Sequence, residues 1–169
     1  LEHRTGENHP EKPERLFSAV SAVKKNNALS KYFIWPAITK ASNDYIQLAH
    51  TDDYINLVKS EVERLDGDQQ VLLSTGDVVI SKDSDEAARF AVGAGIAGID
   101  QIMAKKASSA FALVRPPGHH ATSTRGMGFC VYNNIAVAAK YLQKEYGLKR
   151  ILIVDYDVHH GNGTQDIFY

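Results

Sequence analysis

A short apolar run that ends in a dense cluster of polar side chains constrains this chain more than any other feature. Residues 151–154 are Ile-Leu-Ile-Val, and Asp155, Asp157 and His159 follow directly. A continuous run of this kind is typical of a buried strand in a parallel sheet. Residues two apart on a strand share a face at about 6–7 Å spacing, so these three side chains should project together. Open α/β sheets bind ligands at the carboxyl ends of their strands, where this cluster lies.

The same cluster has the composition of a metal site. A carboxylate and an imidazole two residues apart suit a divalent metal such as zinc, which accepts both oxygen and nitrogen ligands. The alternative is that Asp155 caps the following turn and that His159 and His160 are surface loop residues. Three aligned polar side chains directly behind an apolar strand favour the metal site.

A second polar cluster also follows an apolar run. Residues 110–114 precede Arg-Pro-Pro-Gly-His-His at 115–120. Proline fixes φ and disfavours helix at the preceding residue, so His119 and His120 are predicted to lie on a rigid turn. They can be metal ligands, a general acid/base pair, or part of a purely structural turn.

Between the clusters, the pattern predicts helices over residues 14–25, 45–65, 84–105 and 134–146. The second is interrupted near residues 50–52, where Thr51 or Asp52 can cap a new helix, and Ser84 can cap the third. Small residues at 93, 95 and 98 allow close packing, and Gly147 ends the fourth helix. Strand 110–114, helix 134–146 and strand 151–155 make one right-handed βαβ unit. The expected fold is α/β, a parallel β-sheet flanked by helices, in a single domain over residues 1–169.

Composition narrows the partners and the compartment. The net charge of −1 gives no indication of a nucleic-acid-binding face. The single cysteine, Cys130, excludes an internal disulfide, suits a reducing compartment and is expected to be a small buried hydrophobe. No signal peptide or membrane-spanning run is evident. A cytoplasmic protein is expected, without direct nucleic-acid or membrane partners.

Four motifs together resemble the zinc-dependent histone deacetylase superfamily, which includes acetylpolyamine amidohydrolases and acetoin-utilisation proteins. Three are successive signatures of the superfamily, and the fourth resembles the segment that opens the first long helix of the class II branch and its bacterial relatives. The motifs are Arg-Pro-Pro-Gly-His-His-Ala at 115–121, Met-Gly-Phe-Cys-Val-Tyr-Asn-Asn at 127–134, Asp-Tyr-Asp-Val-His-His-Gly-Asn-Gly-Thr-Gln at 155–165, and His-Pro-Glu-Lys-Pro-Glu-Arg-Leu at 9–16. The resemblance implies an arginase/deacetylase-like fold. It also implies zinc-dependent hydrolysis of acetyl-lysine or acetylpolyamine amides.

The resemblance also implies the roles of residues around the metal. Asp157 and His159 match two of three zinc ligands. His120 matches the general base that later acts as acid, and His119 matches its partner, held by Asp155. Asp155, with the main-chain carbonyls of Asp157 and His159, also resembles part of a monovalent-cation site, for example for K⁺.

Three further residues match positions beside the reacting groups. Asn162 stands where a hydrogen-bond partner of His120 is expected. Gly128 and Phe129 match the lining of the narrow acyl-lysine tunnel.

The matching family has its third zinc ligand and its oxyanion-stabilising tyrosine later than Tyr169. The chain is therefore expected to be an excerpt, lacking the first strand and the C-terminal half, with little activity of its own. An unpaired strand edge then predicts a homo-oligomer. Two alternatives stay open: an arginase-type metallohydrolase, which would want a carboxylate at position 162, and a non-catalytic fragment or binding module.

Overall fold

The computed structural model describes residues 3–169. In that part of the chain, helices dominate and one small hairpin accompanies them. The elements in chain order are α1 (Pro13–Lys25), α2 (Asn27–Ser30), α3 (Asn43–Ile46), α4 (Asp52–Glu63), β1 (Gln70–Leu72), β2 (Val79–Ser81), α5 (Ser84–Met103), α6 (Asn134–Tyr146) and α7 (Asn162–Phe168).

Local sequence signals correctly predicted most of the ends of the predicted helices. Thr51 caps α4, because its side chain accepts a hydrogen bond from the Tyr54 amide. Gly147 ends α6 in a left-handed conformation with φ of 65°. The predicted cap by Ser84 was wrong: Asp83 occupies the cap position. The Ser84 hydroxyl instead accepts the Ser81 amide at 2.7 Å, because the end of β2 lies against it.

The core lies where α4, α5, α6 and the hairpin meet. The close approaches predicted for the glycines of α5 are present at two positions. A Cβ on Gly93 would overlap the Thr39 carbonyl, and one on Gly98 would lie 2.9 Å from the Ala110 Cβ. Gly95 has more room, with its nearest contact at 3.9 Å.

The parallel sheet predicted from residues 110–114 and 151–156 is not present among residues 3–169. The sheet that they do form is an antiparallel pair, with Gln70 opposite Ser81 and Leu72 opposite Val79. The run at 151–154 alternates between half-buried and exposed positions, and Leu152 is 85% exposed. The prediction of a fully buried strand was wrong here because β propensity depends on a neighbouring strand and a covering layer.

Within the described residues, no helix is both long and apolar enough to cross a membrane.

Candidate active site

The two polar clusters meet in space although 36 residues separate them. His119 Nδ1 lies 2.8 Å from Asp155 Oδ2. The neighbouring His120 ring lies 4.1 Å from that of His119, measured between centroids. The predicted proximity of the histidine loop to Asp155 is thus present, even though no strand ladder joins the two segments.

The Asp155 carboxylate sets the orientation and the tautomer of His119. An ionised carboxylate only accepts hydrogen bonds, so His119 Nδ1–H is the donor and Nε2 is left as the basic nitrogen. This hydrogen bond is the main reason that the pKa of Asp155 is lowered. The other carboxylate oxygen accepts the Asp157 amide at 3.2 Å. Asp155 therefore joins the histidine loop to the segment that carries the candidate metal ligands.

His120 has a neutral partner instead. Its Nδ1 lies 2.7 Å from Asn162 Oδ1, which accepts a hydrogen bond from the ring N–H, and Asn162 Nδ2 contacts Met127 Sδ at 3.4 Å. Asn162 is the first residue of α7. The Thr164 amide in the same helix donates to the His119 carbonyl at 3.1 Å. The first turn of α7 thus holds both the loop and one of its imidazoles.

Asp157 and His159 form the candidate metal-ligand pair. Asp157 Oδ1 lies 2.9 Å from His159 Nδ1 and also accepts the His159 amide at 2.8 Å. That amide is the main cause of the lowered pKa of Asp157. An open cavity of about 450 Å³ lies against both residues. A carboxylate oxygen and an imidazole nitrogen fit zinc in kind. Among residues 3–169, however, no group of three or more His, Cys, Asp or Glu side chains converges to hold a metal.

The segment predicted to line a substrate tunnel lies against His120. Gly128 and Phe129 both have left-handed backbone, with φ of 54° and 68°. A Cβ on Gly128 would overlap the His120 ring, so glycine is required for this approach. The Phe129 ring meets the edge of His9 at a centroid distance of 4.5 Å.

Asp77 also contacts this site, although the sequence did not predict it. Asp77, in the turn between β1 and β2, accepts the Gly128 amide at 2.8 Å. No local motif marks Asp77, since its partner lies 51 residues away. A single aspartate in a polar turn is also too common to suggest a site.

Buried side chains anchor the rest of the 127–134 segment. The Tyr54 hydroxyl donates to the Val131 carbonyl at 2.7 Å, and His50 Nε2 accepts the Asn133 amide at 2.9 Å. Cys130 is fully buried, and burial raises its thiol pKa to about 12. The prediction that Cys130 is a small buried hydrophobe is confirmed.

Comparison with known proteins decides the family. The sequence model of the histone deacetylase domain matches residues 9–169. The chain belongs to the histone deacetylase family. It is 39% identical to Histone deacetylase 6 of Caenorhabditis elegans over 167 residues, covering 96% of this chain and 18% of that protein. It is 40% identical to Polyamine deacetylase HDAC10 of Mus musculus over 158 residues, covering 92% of this chain and 23% of that protein.

A solved structure shares the fold of this deacetylase-family chain. The crystal structure of the HDA15 HD domain superposes with a TM-score of 0.86 at 33% identity, over 98% of this chain and 46% of that one. The match is consistent with the predicted arginase/deacetylase-like fold. The chain thus spans less than half of the solved domain and about a fifth of the two relatives.

Proposed function

We propose that this chain carries the acid/base centre and two metal ligands of a zinc-dependent amide hydrolase. The proposed substrates are acetyl-lysine or acetylpolyamine-type amides. One observation carries the proposal: two adjacent imidazoles, His119 and His120, each bond through Nδ1 to a separate acceptor. They lie beside the Asp157 and His159 pair, with the His120 and His159 rings 5.9 Å apart between centroids.

The two histidines have different hydrogen-bond acceptors, and we assign them different roles. His119 bonds to the Asp155 carboxylate, which orients its ring, whereas His120 bonds to the neutral Asn162 amide. His120 is the imidazole that takes a proton from the attacking water. It then returns that proton to the leaving amine, as a general base followed by a general acid.

Asp157 and His159 would hold the zinc ion. When bound, zinc polarises the acyl carbonyl and lowers the pKa of its water. Asp157 Oδ1 and His159 Nδ1 already lie side by side, 2.9 Å apart, and His159 Nδ1 would have to lose its proton to become a ligand. Catalytic zinc usually has three protein ligands, so we propose that residues 1–169 alone bind zinc weakly and turn over little substrate. Asp155 and the carbonyls of Asp157 and His159 are proposed to bind K⁺.

Gly128 and Phe129 are proposed to line the slot for the acylated methylene chain. The glycine backbone passes close to His120, and the Phe129 ring supplies an apolar wall. The proposed substrate is an extended aliphatic amide that passes along them, whether it belongs to a lysine or to a polyamine. The predicted cytoplasmic location and the homo-oligomer formed through exposed strand edges stay predictions.

The test compares zinc binding and turnover. Zinc affinity of the chain is measured by competition with a chelating dye, for wild type, His159→Ala and His160→Ala. His160 is an exposed neighbour without an assigned role, so its variant is the matched control. We expect weak zinc binding that His159→Ala abolishes and His160→Ala retains. Equal affinity in all three proteins would contradict the ligand assignment.

Turnover is measured as acetate release from an acetyl-lysine peptide and from an acetylated polyamine. A longer protein that contains these residues should be active with zinc, and His120→Ala should abolish the activity. Zinc-dependent turnover by residues 1–169 alone would overturn the proposed weakness of this segment. An inactive longer protein that binds zinc would overturn the hydrolase proposal.

A further inference from the structure

A buried ion pair lies at the base of the loop that carries the two histidines. Arg115 Nε donates to Glu11 Oε1 at 2.7 Å, and a terminal nitrogen of Arg115 donates to Glu11 Oε2 at 2.8 Å. The other terminal nitrogen donates to the His3 carbonyl at 2.6 Å. Both side chains of the pair are only 3% exposed. The forked geometry fixes the direction as well as the distance between the two groups.

The Glu11 end of this pair reaches the other side of the site. The Glu11 amide donates to His9 Nδ1 at 3.1 Å, and the Thr5 hydroxyl donates to the Glu11 carbonyl. The His9 ring in turn packs its edge against Phe129. Residues 9–11 therefore connect the base of the histidine loop to the Phe129 ring.

Glu11 has one full cationic partner in this cluster. His3 Nε2 lies 3.6 Å from Glu11 Oε2, but burial, followed by the charge of Arg115, lowers the pKa of His3 to about 3. His3 is therefore neutral near pH 7. Among residues 3–169, the charged partner that bonds directly to the Glu11 carboxylate is Arg115.

We infer that Glu11 and Arg115 are positioning residues that set where His119 and His120 stand relative to Phe129. This inference rests on the proposed function for its catalytic meaning. Only three residues separate Arg115 from His119, and the far side of the loop is held by the Thr164 amide. Because the connecting segment is so short, a displacement of Arg115 should also displace the two imidazoles. Misplacement of a catalytic group by about 1 Å can cost on the order of 100-fold in rate.

Conservative substitutions separate positioning from charge. Arg115→Lys keeps the charge but loses the fork, and Glu11→Asp keeps the charge but withdraws it by one methylene. The matched control is Arg89→Lys on α5, which alters a second, less deeply buried pair in which Arg89 Nε lies 2.8 Å from Asp85 Oδ2. All three variants disturb an ion pair, but only two disturb the one at the base of the loop.

The first readout needs no turnover. In the ¹⁵N-histidine-labelled chain, the Nδ1–H proton of His119 should give a downfield NMR signal because it bonds to Asp155. We expect this signal to shift or vanish in Arg115→Lys and Glu11→Asp and to stay in place in Arg89→Lys. An unmoved signal in both loop variants would overturn the inference. So would failure of both to fold, since the pair would then act on stability.

The second readout is kinetic, in a longer active protein that contains these residues. We expect kcat to fall about 10- to 100-fold in the two loop variants, as for other residues that orient a catalytic group, while KM stays near the wild-type value. A rise in KM without loss of kcat would contradict a positioning role. If the NMR shift is seen but the wild-type protein is inactive, the proposed function fails and the structural coupling stands.

Discussion

Replacing Gly161 with alanine should break the His119–Asp155 hydrogen bond while the chain stays folded. A Cβ at this position would overlap Asp155 Oδ2 and lie 3.4 Å from His119 Nδ1. The backbone itself accepts alanine, because φ is −74°. The group that must move is the end of a short side chain, so the added methyl displaces the carboxylate rather than the backbone.

The size of the effect follows from the bond that is lost. A hydrogen bond to a charged group contributes about 1.5–3 kcal/mol, and the side chains here are 16% and 32% exposed. Solvent screening places this bond at the low end, so the free energy of unfolding should fall by about 1–2 kcal/mol. In a longer active protein with the proposed function, loss of the partner that orients His119 should cost about 10- to 100-fold in activity. There, function should suffer more than stability.

Urea unfolding of the chain measures the stability, and NMR of labelled histidines measures the bond. The downfield Nδ1–H signal of His119 should disappear in Gly161→Ala. Gly95→Ala is the control for the NMR signal, because its Cβ would meet nothing closer than 3.9 Å. A His119 signal at its wild-type position in Gly161→Ala would refute the reasoning, since the carboxylate would then have kept its bond beside the methyl group.

Four substitutions test the fold that supports the site. Burial lowers the pKa of His50 to about 4; the unfolded imidazole, near 6.5, therefore binds a proton first, and about 3 kcal/mol of stability should be lost between pH 7 and pH 4. His50→Gln should remove that loss, which urea titrations at each pH measure. A pH dependence of the unfolding free energy parallel to that of wild type would contradict this expectation. Gly95→Ala should stabilise α5 by about 0.5–1 kcal/mol. Gly93→Ala should destabilise the chain, because its Cβ would overlap the Thr39 carbonyl. A lower melting temperature for Gly95→Ala than for Gly93→Ala would contradict the packing described. Tyr54→Phe should cost about 1–3 kcal/mol because the buried Val131 carbonyl loses its donor, and an unchanged melting temperature would show that another donor replaces the hydroxyl.

Local sequence predicted the helices that have clear local signals. Thr51 begins α4 and Gly147 ends α6, because a cap side chain and a left-handed residue act within one turn of the helix. Ser84 shows the limit of such signals. Its hydroxyl is a good cap in isolation, but the fold brings β2 close enough to use it.

The residues proposed for the site could also be predicted from the sequence, because they lie in dense motifs. Some of their hydrogen-bond partners could be predicted too, because Asp155 and Asn162 belong to those motifs. Asp77 and the Glu11–Arg115 pair were not, since each joins segments that are far apart in the chain. A pattern at one end of such a contact carries no information about the other end.

The sequence by itself determined the family, most helix ends and the side chains that can do acid/base and metal chemistry, because these depend on residue identity and short-range spacing. The tertiary structure decided which of these side chains meet. It also decided that Leu152 lies exposed, whereas an apolar run alone had predicted a buried strand. Whether a segment is buried or paired in a sheet depends on which other segments pack against it. For residues 151–154, the tertiary packing determines those contacts, and the apolar sequence alone does not.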